Sequence, residues 1–235
     1  MNRTLCSVLA VVALVVASGT MQAAATSIGV NFTGNGCCIG GSASLATDVT
    51  GFVPQPNWNN ADNNAGSLSS LVDQSGATTT ASASWASGNT WNSNVAAGSP
   101  NGNLMHGMLD GGSGGPATAT VNVPWGKYDA YLYIASNQGG RSDFTVNGNT
   151  FFAINDTSGS TAFSLVGNTS PGTNTVGNVI RIKGLSGPTL TVVADAGAFG
   201  DFRSSLDGLQ IVVPEPASLG LLGIAATALI RRRRR

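Results

Sequence analysis

Apolar and polar residues alternate with a period of two along most of the segment from residue 26 to residue 213, which is the pattern of half-buried β-strands. No part of this segment shows a helical apolar stripe with capping residues, and the Asn- and Gly-rich stretch 57–67 is expected to be a long loop. The pattern predicts an all-β fold, an antiparallel, jelly-roll-like β-sandwich. The predicted strands are 27–32, 77–85, 117–123, 127–135, 142–146, 149–154, 178–185, 189–194 and 206–213.

One β-hairpin is predicted in detail. Asn147 and Gly148 separate two of the strands, and this dipeptide favours the positive φ angles of a type I′ turn. A two-residue turn at this point sets the register so that Phe144 lies opposite Phe151.

The first 25 residues have the pattern of a secretory signal peptide. Arg3 precedes an apolar segment from Leu5 to Ala17, and small residues follow up to Ala25. We expect a signal helix over residues 1–25 that signal peptidase removes after Ala25.

The last 22 residues, 214–235, combine a short motif, an apolar segment and a cluster of positive charge. The apolar segment 217–230 reaches roughly 21 Å as a helix, at about 1.5 Å per residue, which is short of a roughly 30 Å hydrocarbon core. With the arginines that follow it, we expect it to act as a stop-transfer element, a short transmembrane helix. Positive charge after such a helix favours a cytoplasmic end. The residues singled out are Pro214, Glu215 and Pro216 in the motif and Arg231, Arg232, Arg233, Arg234 and Arg235 in the cluster.

This order of motif, apolar segment and arginine cluster resembles the bacterial PEP-CTERM sorting signal. The resemblance implies recognition by an exosortase and removal of the tail near Pro214-Glu215-Pro216. It also implies an inner-membrane intermediate and a final location in the cell envelope, at the cell surface or in the extracellular matrix of an exopolysaccharide-producing bacterium.

The remaining segment, 26–213, is long enough for one domain. It contains five lysines and arginines and ten aspartates, a formal charge of −5, so nucleic acid is not an expected partner. Its two cysteines, Cys37 and Cys38, are adjacent and provide no disulfide framework, and their oxidation state stays open.

The segment 26–213 also resembles the galactose-binding and malectin-like β-sandwich modules. The resemblance rests on "IGVNFTG", "PQPNWNN", "LMHGMLDGG", "YDAYLYI", "FTVNG" and "LDGLQIV", in that order. It implies a sandwich fold and, by analogy, sugar binding.

The strand "YDAYLYI" suggests where a sugar could bind. Period-two alternation places Asp129, Tyr131 and Tyr133 on one face, and two phenols beside a carboxylate suit a sugar site. The alternative is that a loop covers this face and the tyrosines only pack.

Trp58, Asn59 and Asn60 are the second candidate set for binding a sugar. They present the same choice, because Trp58 can be a binding platform beside two amides or can pin a long loop onto the sandwich. We favour pinning.

Catalytic and metal motifs are weak in this sequence. His106 is the only histidine, no Gly-x-Ser-x-Gly motif occurs, and glycoside hydrolysis would have to use a pair of aspartates. We therefore expect no enzyme activity and no cofactor other than a structural Ca²⁺ at Asp207. The resemblance to β-sandwich modules implies an acidic residue at this position on the last strand. The alternative is that Asp207 forms a turn with Gly208.

Together these observations predict an exported surface protein that binds carbohydrate or mediates adhesion without catalysis. A purely structural envelope coat protein is the alternative, and a secreted glycan-active hydrolase is less favoured. The expected partners are signal peptidase, an exosortase, the bacterial membrane through the C-terminal helix, and polysaccharide.

Overall fold

The structure is a computed structural model that describes residues 26–35, 42–112, 114–171, 175–196 and 203–214. Residues Thr26–Val213 form one compact unit. The predicted signal helix, Cys37 and Cys38, and the predicted transmembrane helix lie outside the described residues. Among the residues described, no helix is both long enough and apolar enough to cross a membrane.

The described chain contains fifteen strands and one helix. The first half consists of β1 Ser27–Phe32, β2 Asn59–Ala61, β3 Ala65–Leu68, β4 Ser82–Ala86, β5 Asn89–Asn92, α1 Pro100–His106, β6 Gly107–Gly112 and β7 Ala117–Asn122. The second half consists of β8 Lys127–Tyr133, β9 Arg141–Val146, β10 Asn149–Asn155, β11 Val176–Gly177, β12 Val179–Ser186, β13 Thr189–Asp195, β14 Arg203–Leu206 and β15 Gly208–Val212.

The strands form three sheets. A five-stranded sheet has the order β12-β8-β15-β1-β2, a seven-stranded sheet has the order β11-β10-β9-β13-β7-β4-β3, and a three-stranded sheet has the order β14-β6-β5. Most neighbouring strands are antiparallel, whereas β1 with β2 and β10 with β11 are parallel. The predicted all-β sandwich is confirmed.

The main core lies between the inner faces of the five-stranded and seven-stranded sheets. Alternate residues of the strands provide the side chains of this core: β13 buries every second side chain, and β1 contributes Ile28, Val30 and Phe32. Phe32 meets Trp85 of the opposite sheet with ring centroids 6.2 Å apart. Each large apolar side chain buried in this way contributes about 1.5–3 kcal/mol.

The predicted hairpin is confirmed. Asn147 has a φ of 48° and Gly148 a φ of 83°, as a type I′ turn requires. Phe144 pairs with Phe151 between β9 and β10.

The sequence reasoning missed α1. Ser99 caps this helix, because its Oγ accepts a hydrogen bond of 3.0 Å from Gly102 N, and Pro100 occupies the first turn. The helix has only seven residues, which is too short for an apolar stripe to repeat. The signal that could have found it is the Ser-Pro pair rather than periodicity.

Segment 57–67 is not one long loop, and this prediction was wrong. It contains β2 and the start of β3, and β2 runs parallel to β1 with Val30 opposite Asn59. Polar residues form a strand here because partners elsewhere in the fold satisfy their side-chain amides.

Two other predicted strands have different bounds in the structure. The predicted strand 77–85 is shorter, since β4 begins at Ser82. The predicted strand 206–213 is interrupted at Asp207, where the chain passes from the three-stranded to the five-stranded sheet.

Candidate functional site

The two faces of β8 separate as the alternation predicts. Tyr128, Ala130 and Leu132 point into the main core, whereas Tyr131 and Tyr133 lie on the outer face of the five-stranded sheet. That outer face is covered, and Tyr133 is completely buried. The segment from Phe52 to Trp58, together with Phe163, lies over it.

Tyr133 is the centre of this covered face. Its hydroxyl donates to Gln210 Oε1 at 2.8 Å and accepts from Phe52 N at 2.6 Å. Trp58 and Phe163 approach its ring edge to face, with centroids 5.8 Å and 5.4 Å away. Burial raises the pKa of Tyr133 far above the ordinary value of 10.0, so the phenol stays protonated and structural.

Trp58 pins the covering segment to the sheet. It is 5% exposed, and its indole N–H donates to Gln55 O at 3.1 Å. A Cβ added at Gly29 would lie 2.5 Å from Trp58 Cε3, so the absence of a side chain at Gly29 makes room for the indole. Of the two roles considered for Trp58, this is the pinning role.

Asn59 and Asn60 connect backbone segments. The Asn59 amide donates to Gly29 O and Val72 O at 2.8 and 2.9 Å and accepts from Val72 N at 2.9 Å. The Asn60 amide accepts from Ser44 N and donates to Ser44 O, both at 2.9 Å. These bonds hold β2 and its neighbours in place.

Asp129 is half-buried near the edge of the five-stranded sheet. Its Oδ1 accepts a hydrogen bond of 2.8 Å from Gly184 N, at the irregularity where β12 shifts register against β8. Burial raises the pKa of Tyr131, the charge of Asp129 raises it further, and Arg181 opposes both effects. Tyr131 also stacks on Phe52, with centroids 5.4 Å apart.

Asp207 is fully buried between β14 and β15. Neither carboxylate oxygen has a well-formed hydrogen bond within the described chain. Burial raises the pKa of Asp207 well above its ordinary value of 3.8, and the nearby Ala135 N–H offsets this only in part.

Calcium needs more oxygen ligands than Asp207 provides. In the ranges that the structure describes, no group of three or more His, Cys, Asp or Glu side chains is placed to hold a metal ion. One carboxylate supplies at most two of the six to eight oxygens that calcium takes, so Ca²⁺ at Asp207 stays a prediction.

His106 is the last residue of α1. Its Nδ1 is 2.6 Å from Val95 O and its Nε2 is 2.7 Å from Asn92 Nδ2, an arrangement that fits the Nδ1–H tautomer. Both ring nitrogens therefore hold the chain around α1 together.

The outer face of the three-stranded sheet carries a group of side chains that the sequence reasoning did not find. The Arg203 guanidinium lies 4.9 Å from the ring centroid of Trp91. Arg203 Nε is 3.4 Å from Asp110 Oδ2, and Arg203 Nη1 donates to Asn137 Oδ1 at 3.1 Å. We call Trp91, Asp110, Asn137 and Arg203 the Trp91–Arg203 cluster.

Deeper polar groups adjoin this cluster. Ser205 lies opposite Asp110 in the sheet and accepts a hydrogen bond of 2.8 Å from Asn155 Nδ2. Asp110 Oδ1 and Asn155 Oδ1 are buried and have no hydrogen-bond partner within the described chain. Burial raises the pKa of Asp110, and the charge of Arg203 opposes this shift.

Trp91 and Arg203 remain partly open to solvent. Trp91 is half-buried, and the side chains of Arg203 and Asp110 are 17% and 8% exposed. Trp91 and Arg203 are far apart in the sequence, so no local motif could have linked them. The short alternation in "NTWN" is the one available signal for β5.

At the C-terminal end, residues 212–235 match the family model described as the PEP-CTERM protein-sorting motif. The chain carries a PEP-CTERM sorting signal. This match confirms the resemblance seen in the sequence and indicates export and association with the cell envelope.

No curated protein sequence matches the chain. Among solved structures, an exo-β-1,3-galactanase from Phanerochaete chrysosporium with β-1,3-galactotriose is similar at 15% identity and a TM-score of 0.31, covering 55% of this chain and 26% of that one. The CBM36-1 domain of a multidomain xylanase from the hindgut metagenome of Trinervitermes trinervoides is similar at 19% identity and a TM-score of 0.30, covering 54% of this chain and 87% of that one.

Proposed function

We propose that this protein is an exported β-sandwich that an exosortase processes and that reaches the cell surface or the extracellular matrix. The observation that carries the proposal is the PEP-CTERM match at residues 212–235, which begins at the last two residues of the compact unit Thr26–Val213. Signal peptidase removes residues 1–25, and the apolar segment 217–230 anchors the intermediate in the inner membrane until the tail is removed.

Glu215→Ala tests recognition of the motif, because it removes the charge and leaves both prolines. Export and folding should be unchanged, and a form longer by about the tail's twenty residues should accumulate. Pulse labelling with intact-mass measurement follows the processing. A wild-type processing rate would show that the triplet only terminates the last strand.

Replacement of Arg231–Arg235 by neutral residues tests the orientation of the tail. Each arginine costs about 2.5–3.5 kcal/mol at the centre of a membrane helix on insertion scales, so the cluster holds the end on the cytoplasmic side. The variant should lose retention and processing in cell fractionation. Unchanged location and processing would contradict this role.

At the molecular level, the proposed activity is non-catalytic carbohydrate binding or adhesion. The support is the sandwich fold, the formal charge of −5 between residues 26 and 213, and a partly exposed tryptophan, Trp91, beside polar groups. A structural Ca²⁺ at Asp207 belongs to this proposal as a stabilising ion. A glycan array with the purified protein tests it: selective binding supports the proposal, no binding favours a structural coat, and turnover of a bound glycan would establish an enzyme.

A further inference from the structure

We propose that the Trp91–Arg203 cluster is the binding site for a neutral saccharide. The inference rests on the proposed carbohydrate-binding function and adds the site and the class of sugar. Three strands and the loop after β8 build the cluster, and the residues first proposed for this role, Trp58, Tyr131 and Tyr133, are buried beneath other parts of the chain.

Arg203 is held in a fixed orientation at the surface. Trp91 supports the guanidinium plane at 4.9 Å, and the contacts with Asp110 and Asn137 use two of its five N–H donors. Because the side chain is restrained before a ligand arrives, little rotamer entropy is lost on binding. The remaining donors suit the oxygen atoms of a ligand.

Two acceptors next to Arg203 are unsatisfied. Asp110 Oδ1 and Asn155 Oδ1 have no hydrogen-bond partner among the described residues, although Asn155 is 2% exposed and Asp110 is nearly as buried. An unpaired buried acceptor is costly, so a group that brings a donor gains free energy there. A hydroxyl both donates and accepts hydrogen bonds, so a sugar hydroxyl beside Arg203 can accept from the guanidinium and donate to Asp110 Oδ1, once a small side-chain movement uncovers that buried oxygen.

Charge selects a neutral sugar over an acidic one. The carboxylate of a uronic acid would pair with Arg203, but it only accepts hydrogen bonds, so it would compete with Asp110 for the guanidinium and leave Asp110 Oδ1 without a donor. The formal charge of −5 between residues 26 and 213 opposes anions at longer range as well. The partly exposed Trp91 ring suits the apolar C–H surface of a sugar.

An array that carries neutral gluco-, galacto- and manno-oligosaccharides beside oligouronates tests both the site and the class. The full-length protein is compared with two cluster variants, Trp91→Ala and Arg203→Lys, and with the control Trp125→Ala. Arg203→Lys keeps the positive charge but loses the planar guanidinium with its several N–H donors. Trp125 is half-buried in the loop between β7 and β8. Thermal unfolding by circular dichroism verifies that each variant is folded.

The expected result is binding of a neutral oligosaccharide that Trp91→Ala and Arg203→Lys each weaken by about tenfold or more, while Trp125→Ala has little effect. Unchanged binding in both cluster variants would overturn this site and leave the proposed carbohydrate-binding function standing. Binding of oligouronates alone would overturn the sugar class. Absence of glycan binding by the wild-type protein would overturn the proposed binding function and the site together.

Discussion

Two outer faces of the sandwich carry similar residue types in different surroundings. On the five-stranded sheet, Tyr133 is buried below the segment Phe52–Trp58 and Trp58 is buried within it, whereas on the three-stranded sheet Trp91 and Arg203 remain partly exposed. Within the described part of the chain, both faces contain buried polar atoms without a hydrogen-bond partner, among them Asn31 Oδ1 on the first and Asp110 Oδ1 on the second.

The two faces therefore differ in how far solvent reaches their side chains rather than in which residue types they carry. Aromatic and amide side chains stabilise the fold where another segment covers them and can meet a ligand where solvent reaches them. Substitutions on the first face should change stability, and those on the second should change binding.

The largest expected effect separates the two tryptophans. Trp58→Ala should lower the free energy of unfolding by about 3–5 kcal/mol, because it removes a buried indole that contacts Tyr133 and holds the covering segment. Trp91→Ala should lower it by less than about 1 kcal/mol, since Trp91 is half-buried. Urea unfolding followed by far-UV circular dichroism measures both. Equal losses would contradict the comparison.

The next largest expected effect on stability comes from the close packing of Trp58 against Gly29 of β1. In Gly29→Ala the new Cβ would lie 2.5 Å from Trp58 Cε3, which should cost about 1–3 kcal/mol of stability. Gly126→Ala is the matched control, because a Cβ there meets nothing within 4 Å and should change stability by less than about 0.5 kcal/mol. Thermal unfolding compares the two alanine variants. A Gly29 variant as stable as the control would show that the indole can move aside freely.

Tyr133→Phe isolates the hydrogen bonds of the covered face. Loss of the Tyr133 hydroxyl leaves Gln210 Oε1 without one donor and Phe52 N without an acceptor, so the free energy of unfolding should fall by about 1–2 kcal/mol. Tyr128→Phe, which removes a single bond to Thr189 O, should cost less. The same urea unfolding assay ranks the two, and the reverse order would show that the covering segment is held by packing alone.

The smallest expected effect is a pH dependence of stability at Asp110 in the Trp91–Arg203 cluster. The folded-state pKa of Asp110 is raised above the ordinary value of 3.8, so the folded protein holds a proton at this carboxyl to higher pH than the unfolded chain does. The contribution of Asp110 to the free energy of unfolding therefore falls as the pH rises from 3.8 to the folded-state pKa. Asp110→Asn lacks this titration and should become more stable relative to the wild type across that interval. Urea unfolding at a series of pH values measures the difference, and a trend of opposite sign would mean that Arg203 outweighs burial.

Local patterns in the sequence determined several features correctly. The Asn147-Gly148 turn fixed the pairing of Phe144 with Phe151, because a two-residue turn leaves one register. Alternation on β8 separated Tyr128 from Tyr133, since successive side chains of a strand point to opposite faces. The terminal motif, which matches at residues 212–235, is read from consecutive residues and needs no fold.

Only the tertiary structure decided which faces are covered and which distant residues meet. Gln210 binds Val53 across 157 positions of sequence, and Arg203 reaches Trp91 from another strand of the same sheet. The physical reason is that periodicity specifies which side chains share a face, whereas the path of the whole chain specifies what packs on that face. Trp58 and Trp91 are the same residue type in the sequence, and long-range packing buries the first and leaves the second partly exposed to solvent.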